Sequence, residues 1–322
     1  MQIPVTQAPS PHPKPADDQL GFGTIFTDHM LNLDYSPDRG WHNPRIEPYG
    51  PFQLDPSTMV FHYGQAVFEG LKAYRTPSGA IQLFRPRDLE RDWVPSAPET
   101  SLYIRPTVIS TDPFLGVRAS HTYRYFVILS PVGAYYAEGF NPVKIWVTRD
   151  HVRAVRGGLG EAKTPGNYAA SLYAGEEANR KGYAQVLWLD GVEQNYVEEV
   201  GSMNIFFVID DELVTPSLNG SILPGITRDS VLSLGRSWGM TVTERRISID
   251  EVMAAHDDGR LKEIFGSGTA AVISPVGELA YGDRVINVGD GKVGPLARKF
   301  FEAIKDIQYG HADDSFGWIE PV

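Results

Sequence analysis

KTPGNYAASLYAGEEANRKGYAQVLWLDG, residues 163–191, is the stretch whose reading decides the fold. Ala169, Leu172 and Tyr173 recur at helical spacing between Tyr168 and Lys181, and Gly182 stands where a left-handed cap ends a helix. AQVLWLDG (184–191) then reads as a buried strand, as does MNIFFVIDD (203–211). A capped helix running directly into a buried strand argues for packed α/β layers rather than a β-sandwich. Downstream, Ser248 and Glu251 have capping-box spacing ahead of VMAAH, and GPLARKFFEAIKDIQYG (294–310) is an amphipathic helix bounded by glycines.

Upstream, VKIWVTR (143–149) is strand-like, and the residues before it, AEGFNPV, break the pattern with Gly139 and Pro142. AYRTPSGAIQLFR (73–85) reads as a hairpin turning at Pro77, Ser78 and Gly79, and YRYFVILSPVGAYY (123–136) reads the same way. The expected organisation is a flexible proline-rich arm over 1–18, a small α/β domain over 19–136, a linker over 137–143 and a large domain over 144–322. The fold class is α/β (α+β).

At 322 residues and 42% hydrophobic content, the chain can fill two cores. Its net charge of −11 disfavours nucleic acid and anionic lipid as partners, so an anionic ligand must be held by a local site. With no cysteine there is no disulfide, thiolate zinc site or cysteine nucleophile. No metal site is expected. No run has the length of a signal peptide or membrane span, so a cytoplasmic protein is expected.

Four segments carry polar groups that could do chemistry. Lys163 lies in the small-residue loop GGLGEAKTPGNYAASL. Alone it is a surface lysine, but the glycines permit close approach of a flat ligand, and Tyr168 could set a phenol beside the amine. ILPGITRDSV (222–231) opens a helix at Ile226 and Thr227, whose free N–H groups could bind a phosphate or simply start a helix. FGSGTAAVISPVG (265–277) interrupts a strand-like stretch with glycines and brings the Thr269 hydroxyl, a ligand approach or a structural bend. In YVEEVGSMNIFF (196–207), alternation turns one of Glu198 and Glu199 inward, to meet either a protonated pyridine nitrogen or an arginine.

Together with FHYGQAVFEGLKAYR (61–75), DWVPSAPETSLYIRPT (92–107), LGVRASHTYRYFVILSPVGAYY (115–136) and QVLWLDGVEQNYVEEVGSMNIFFV (185–208), these segments resemble the branched-chain amino acid aminotransferases, two-domain fold-type IV pyridoxal phosphate enzymes similar to D-amino acid aminotransferase. The resemblance runs from Phe22 to Gly310. It implies that Lys163 forms a Schiff base with pyridoxal 5'-phosphate and moves the substrate's proton, that Glu199 partners the pyridine nitrogen, and that Tyr168 meets the phenolic oxygen. It assigns the phosphate to Arg153, Ile226, Thr227 and Thr269. The substrate carboxylate falls to Tyr103, to Arg105 supporting Tyr63 of the partner subunit, and to N–H groups of Thr269 and Ala270, with Ser202 also a substrate contact. The apolar side chain falls among Phe22, Phe68, Tyr135 and Val117 of the partner subunit. A homodimer is implied, acting on L-leucine, L-isoleucine or L-valine with 2-oxoglutarate as acceptor.

Two departures stand out. After LFRPRD the family continues for roughly 30 residues, about two average helices, that are missing after Asp88, among them an arginine that meets the phosphate. Pro165 stands where the family has glycine, which stiffens the loop and removes a donor. Sharing Lys163 and Glu199 leaves open a D-amino acid aminotransferase, an aminodeoxychorismate lyase, or a cofactor-binding relative impaired by the deletion.

Overall fold

Alternating apolar and polar residues mark Leu71–Arg75 and Ile81–Phe84 in the first sheet, and largely apolar runs mark Gln185–Leu189 and Met203–Ile209 in the second. The computed structural model describes residues 3–84, 93–133 and 139–322. It divides into one unit of Met1–Tyr135 with Asp306–Val322, and another of Tyr136–Lys305.

The first unit holds β1 (His29–Ser36), β2 (Gly40–Pro48), a short helix α1 (Met59–Tyr63), β3 (Ala66–Phe68), β4 (Leu71–Arg75), β5 (Ile81–Phe84), β6 (Ser101–Ser110) and β7 (Tyr123–Val132). The antiparallel order is β5-β4-β6-β7-β1-β2, with β3 also on β6. The hairpin expected around residue 79 is present: Thr76 N donates to Ala80 O at 2.9 Å and Gly79 takes φ +84. The second expected hairpin is instead one strand. β7 pairs with β6 through ten unbroken positions, Ser101 opposite Val132 to Ser110 opposite Tyr123, so Ser130 and Pro131 fall inside a strand whose partners, β6 and β1, lie outside the segment. Asp88 and the start of the apparent deletion lie outside the described residues, as does Tyr135. Beyond the gap, Trp93 and Val94 enter the core beside Leu83, Leu102 and Leu129, and Arg75 donates to Val94 O from Nε at 3.1 Å and Nη2 at 2.9 Å.

The arm expected to be loose is tied down. Val5 bridges Ile46 on β2, His12 N donates to Asp28 Oδ1 at 2.9 Å, and Asp17 Oδ2 accepts from Ser96 N at 3.0 Å and Ala97 N at 2.7 Å.

The second unit holds β8 (Val143–Val147), α2 (Pro165–Arg180), β9 (Gln185–Leu189), β10 (Val197–Val200), β11 (Met203–Ile209), β12 (Glu212–Thr215), α3 (Ile226–Ser237), β13 (Thr241–Glu244), α4 (Ile249–Asp257), β14 (Leu261–Gly268), β15 (Val272–Tyr281), β16 (Arg284–Asn287) and most of α5 (Pro295–Tyr309), whose residues from Asp306 on count with the first unit. The order is β10-β9-β8-β15-β14-β11-β12-β13, with β16 on β15. Because β10 also bonds to β11, six strands from β10 round to β11 close into a ring. The core beside it includes Ile145, Leu187, Ile205, Phe207 and Leu279.

α2 ends as its sequence implies: Gly182 at φ +85 lets Tyr183 N reach Ala178 O at 3.0 Å. Its buried residues differ from those read from the sequence, since Ala174 and Ala178 pack against Val186 and Trp188 while Leu172 and Tyr173 are exposed. Small residues let the helix lie close to the Trp188 ring. Pro165 takes the first helical position, where its missing N–H has no intrahelical partner to lose. Ser248 Oγ accepts from Glu251 N at 3.0 Å, the expected cap of α4. The last strand, β17 (Ile319–Pro321), pairs with β5, so the C-terminal residues belong to the first unit.

Candidate active site

Simple alternation would bury only one of two consecutive glutamates, yet Glu198 and Glu199 are both buried. The cause is a bulge: Val197 faces Leu189 and Val200 faces Leu187, so β10 spends one residue more than β9 over the same span. Both side chains reach residues 219–223. Glu198 Oε1 accepts from Ser221 Oγ, and Glu199 Oε1 accepts from Leu223 N at 2.8 Å. Glu199 Oε2 lies 3.2 Å from Arg153 Nε. Burial raises the Glu199 carboxyl to about 7; the neighbouring Glu198 adds to that, and Arg153, the Leu223 N–H and Lys163 act against it.

Lys163 Nζ donates to Tyr168 OH at 3.0 Å, from the residue before the N-cap of α2 to a side chain in the helix's first turn. Asn167, which the sequence reading passed over, braces the same loop through Leu159 O at 2.7 Å and Ala162 O at 3.0 Å. Gly160 lies flat on the backbone of Ser221, where any Cβ would overlap. These segments enclose a cleft lined by Arg153, Ala162, Tyr168, Glu199, Ser202 and Leu223.

Asn204, a polar residue within the apolar run MNIFF, marks the neighbouring wall. It pairs with Glu199 on one side and Ser267 on the other, and its Nδ2 donates to Leu223 O at 2.8 Å. Gly225, the N-cap of α3, packs on Asn204 Oδ1, so Ile226 and Thr227 begin their helix at this same end of the ring. Thr269 and Ala270 follow Ser267 and Gly268 in the turn joining β14 to β15. The glycines of FGSG therefore lead into a hairpin turn rather than interrupt one strand. Arg153, expected at the phosphate, is paired with Glu199 and donates from Nη2 to Ser221 O and to Gly160 O at 3.3 Å.

In the first unit, Arg105 Nη2 donates to Tyr103 OH at 3.0 Å, the Arg105 guanidinium lies 4.6 Å from the centre of the Phe68 ring, and Phe22 meets Tyr103 edge-on at 5.2 Å. Four expected substrate residues thus form one cationic and aromatic cluster. Of the two residues expected from the partner subunit, Tyr63 donates from its OH to Leu115 O and Val117 is exposed.

The family model for class IV amino-transferases matches residues 89–279. The chain is 53% identical to branched-chain-amino-acid aminotransferase 2 of Bacillus subtilis (strain 168), covering 96% of this chain and 94% of that protein. That alignment spans 341 positions, so about 30 positions of the relative face a gap in this chain. Among solved structures, the chain is similar to the branched-chain amino acid aminotransferase of Escherichia coli, with 27% identity, a TM-score of 0.74 and coverage of 91% and 98%. It is also similar to the T.th. branched-chain amino acid aminotransferase complexed with N-(5'-phosphopyridoxyl)-L-glutamate, with 25% identity, a TM-score of 0.70 and coverage of 90% and 98%.

Proposed function

The chain belongs to the class IV aminotransferases, in their branched-chain-amino-acid branch, and from that premise we propose that it moves the amino group of L-leucine, L-isoleucine or L-valine to 2-oxoglutarate, using pyridoxal 5'-phosphate in the Lys163–Glu199 cleft. The observation that carries the reading is an amine held on a phenol, Lys163 on Tyr168, in the loop that walls a cleft with a buried carboxylate, Glu199.

The donor set fits the group. Bound there, the cofactor supplies an aldehyde and an electron-withdrawing ring that stabilises negative charge at the substrate's α-carbon. Glu199, costly to ionise alone, gains a proton-bearing partner in the ring nitrogen. The N–H groups of Ile226 and Thr227 and the Thr269 hydroxyl supply a neutral anion site on a chain of net charge −11. Lys163 Nζ takes the proton from the α-carbon and returns it, with Tyr168 OH holding the amine in place. Arg153 orients Glu199 from the side.

The Arg105–Tyr103 pair provides for the substrate carboxylate, and Phe22 and Phe68 for its branched side chain, with Tyr63 and Val117 of the partner subunit in a homodimer. Ser202, which lines the cleft, is a further substrate contact, and the resemblance adds the Ala270 N–H. We place the enzyme in the cytoplasm; among the described residues no helix is long and apolar enough to cross a membrane. The glutamate-bearing ligand of the T.th. relative supports 2-oxoglutarate as acceptor.

The test is spectral. Loaded with pyridoxal phosphate, the chain is expected to show a visible band that bleaches with L-leucine and not with D-alanine. Lys163→Ala should lack the band and lose about 10⁴-fold in turnover at unchanged melting. A Lys163→Ala protein with the unaltered chain's spectrum and rate would defeat the assignment.

A further inference from the structure

We infer that Glu198 is a positioning residue: through Ser221 and Asn219 it fixes residues 219–223, and that segment sets Glu199, Arg153 and the Lys163 loop at their working spacing. The inference rests on the reading of this cleft as the pyridoxal phosphate site.

Glu198 is 4% exposed, and its Oε1 accepts from Ser221 Oγ and from Asn219 Nδ2 at 3.4 Å. Its Oε2 is buried with no hydrogen-bond partner among the described residues. A loop that mattered only for packing could be held by apolar contacts, without desolvating a carboxylate and leaving half its acceptors unfilled. What this carboxylate holds is the segment from which the site takes its order. The Ser221 carbonyl accepts from Arg153 Nη2, and the Ser221 backbone is the surface on which Gly160 rests, three residues before Lys163. Two residues beyond Ser221, the Leu223 N–H binds Glu199 Oε1 at 2.8 Å. The bulge in β10 lets neighbouring glutamates divide the work: Glu199 faces the cleft and Glu198 grips the loop that aims it. Glu198 is proposed to touch neither cofactor nor substrate.

The experiment compares the full chain with Glu198→Ala, Glu198→Gln and Ser221→Ala. Amide hydrogen exchange over residues 219–223 is measured without cofactor, and the Kd for pyridoxal phosphate and the kcat and KM for L-leucine are measured with it. Glu198→Ala and Ser221→Ala are expected to expose the Leu223 amide to exchange, weaken cofactor binding about tenfold, and lower kcat with KM nearly unchanged. Glu198→Gln, whose amide oxygen still accepts from Ser221 Oγ, should stay within about threefold of the unaltered chain on every measure. Unchanged exchange and Kd in both Glu198→Ala and Ser221→Ala would overturn the inference, as would a Glu198→Gln protein as impaired as Glu198→Ala. Should Glu198→Ala fail to fold, Ser221→Ala, a single-atom deletion, decides the outcome. If the unaltered chain takes up no pyridoxal phosphate, the functional reading falls, while the exchange data still decide whether Glu198 orders the loop.

Discussion

In the second unit the strands return on themselves, β10 bonding to β11 as well as to β9, whereas the sheet of the first unit ends on two borders, at β2 and β17. The difference shows in how the candidate site's charges are held. Around the closed ring, Glu198, Glu199 and Arg153 are withdrawn from water and answered by one another and by residues 219–223. On the open sheet, Arg105 keeps company with aromatic faces, and the core on one side is completed by Trp93 and Val94, which enter directly after the gap. Closure provides a rigid frame for chemistry, and the open sheet provides a surface on which segments can be exchanged or lost.

The sharpest way to break this comparison is at Trp93. Replacing it with alanine should cost about 3–5 kcal/mol, because it leaves a cavity among Leu83, Leu102 and Leu129. Calorimetry should show the loss in the first unit's transition alone, with pyridoxal phosphate uptake persisting; joint loss of both in one transition would mean the units do not divide the work.

Glu199 gives an effect on the order of 3 kcal/mol that belongs to the second unit. Its carboxyl rises from an ordinary 4.5 to about 7 in the folded chain. Below pH 4.5 both folded and unfolded states hold the proton and nothing is lost. Between 4.5 and 7 the unfolded state releases it first, so stability falls as pH rises, and above 7 the loss is constant at about 3 kcal/mol. In the cofactor-free chain, Glu199→Gln should flatten this part of the denaturation profile; a slope equal to that of the unaltered chain would assign it to other groups.

The smallest effect is expected at Asp17, whose carboxylate accepts two backbone N–H groups beyond the gap. Asp17→Ala should cost about 1 kcal/mol and speed proteolysis of the arm. No change in either would show that the arm's docking does not depend on that side chain.

Local signals carried much of this. Gly182, Ser248 and the loop around Lys163 act through neighbours within a few residues, and they stand where their spacing put them. What escaped was set by pairing and packing partners outside the segment being read. The bulge that buries both glutamates depends on β9, the strand status of Tyr123–Val132 depends on β6, and the exposure of Leu172 follows from Trp188. The pairing of Arg153 with Glu199 was not legible either, because the sequence shows a cation near Lys163 but not which carboxylate it meets. Asn204 left a signal, an amide inside an apolar strand, whose Nδ2 holds the carbonyl of Leu223, a residue lining the cleft.

Val5 and its neighbours along β2 have a consequence of another kind. The first unit has a long outer strand, Gly40–Pro48, that could template polymerisation if left bare. The proline-rich leader occupies that strand at Ile46, giving and taking one backbone bond there, while its prolines make a poor template for anything further. At Ile46 that border is therefore already filled by the chain's own backbone.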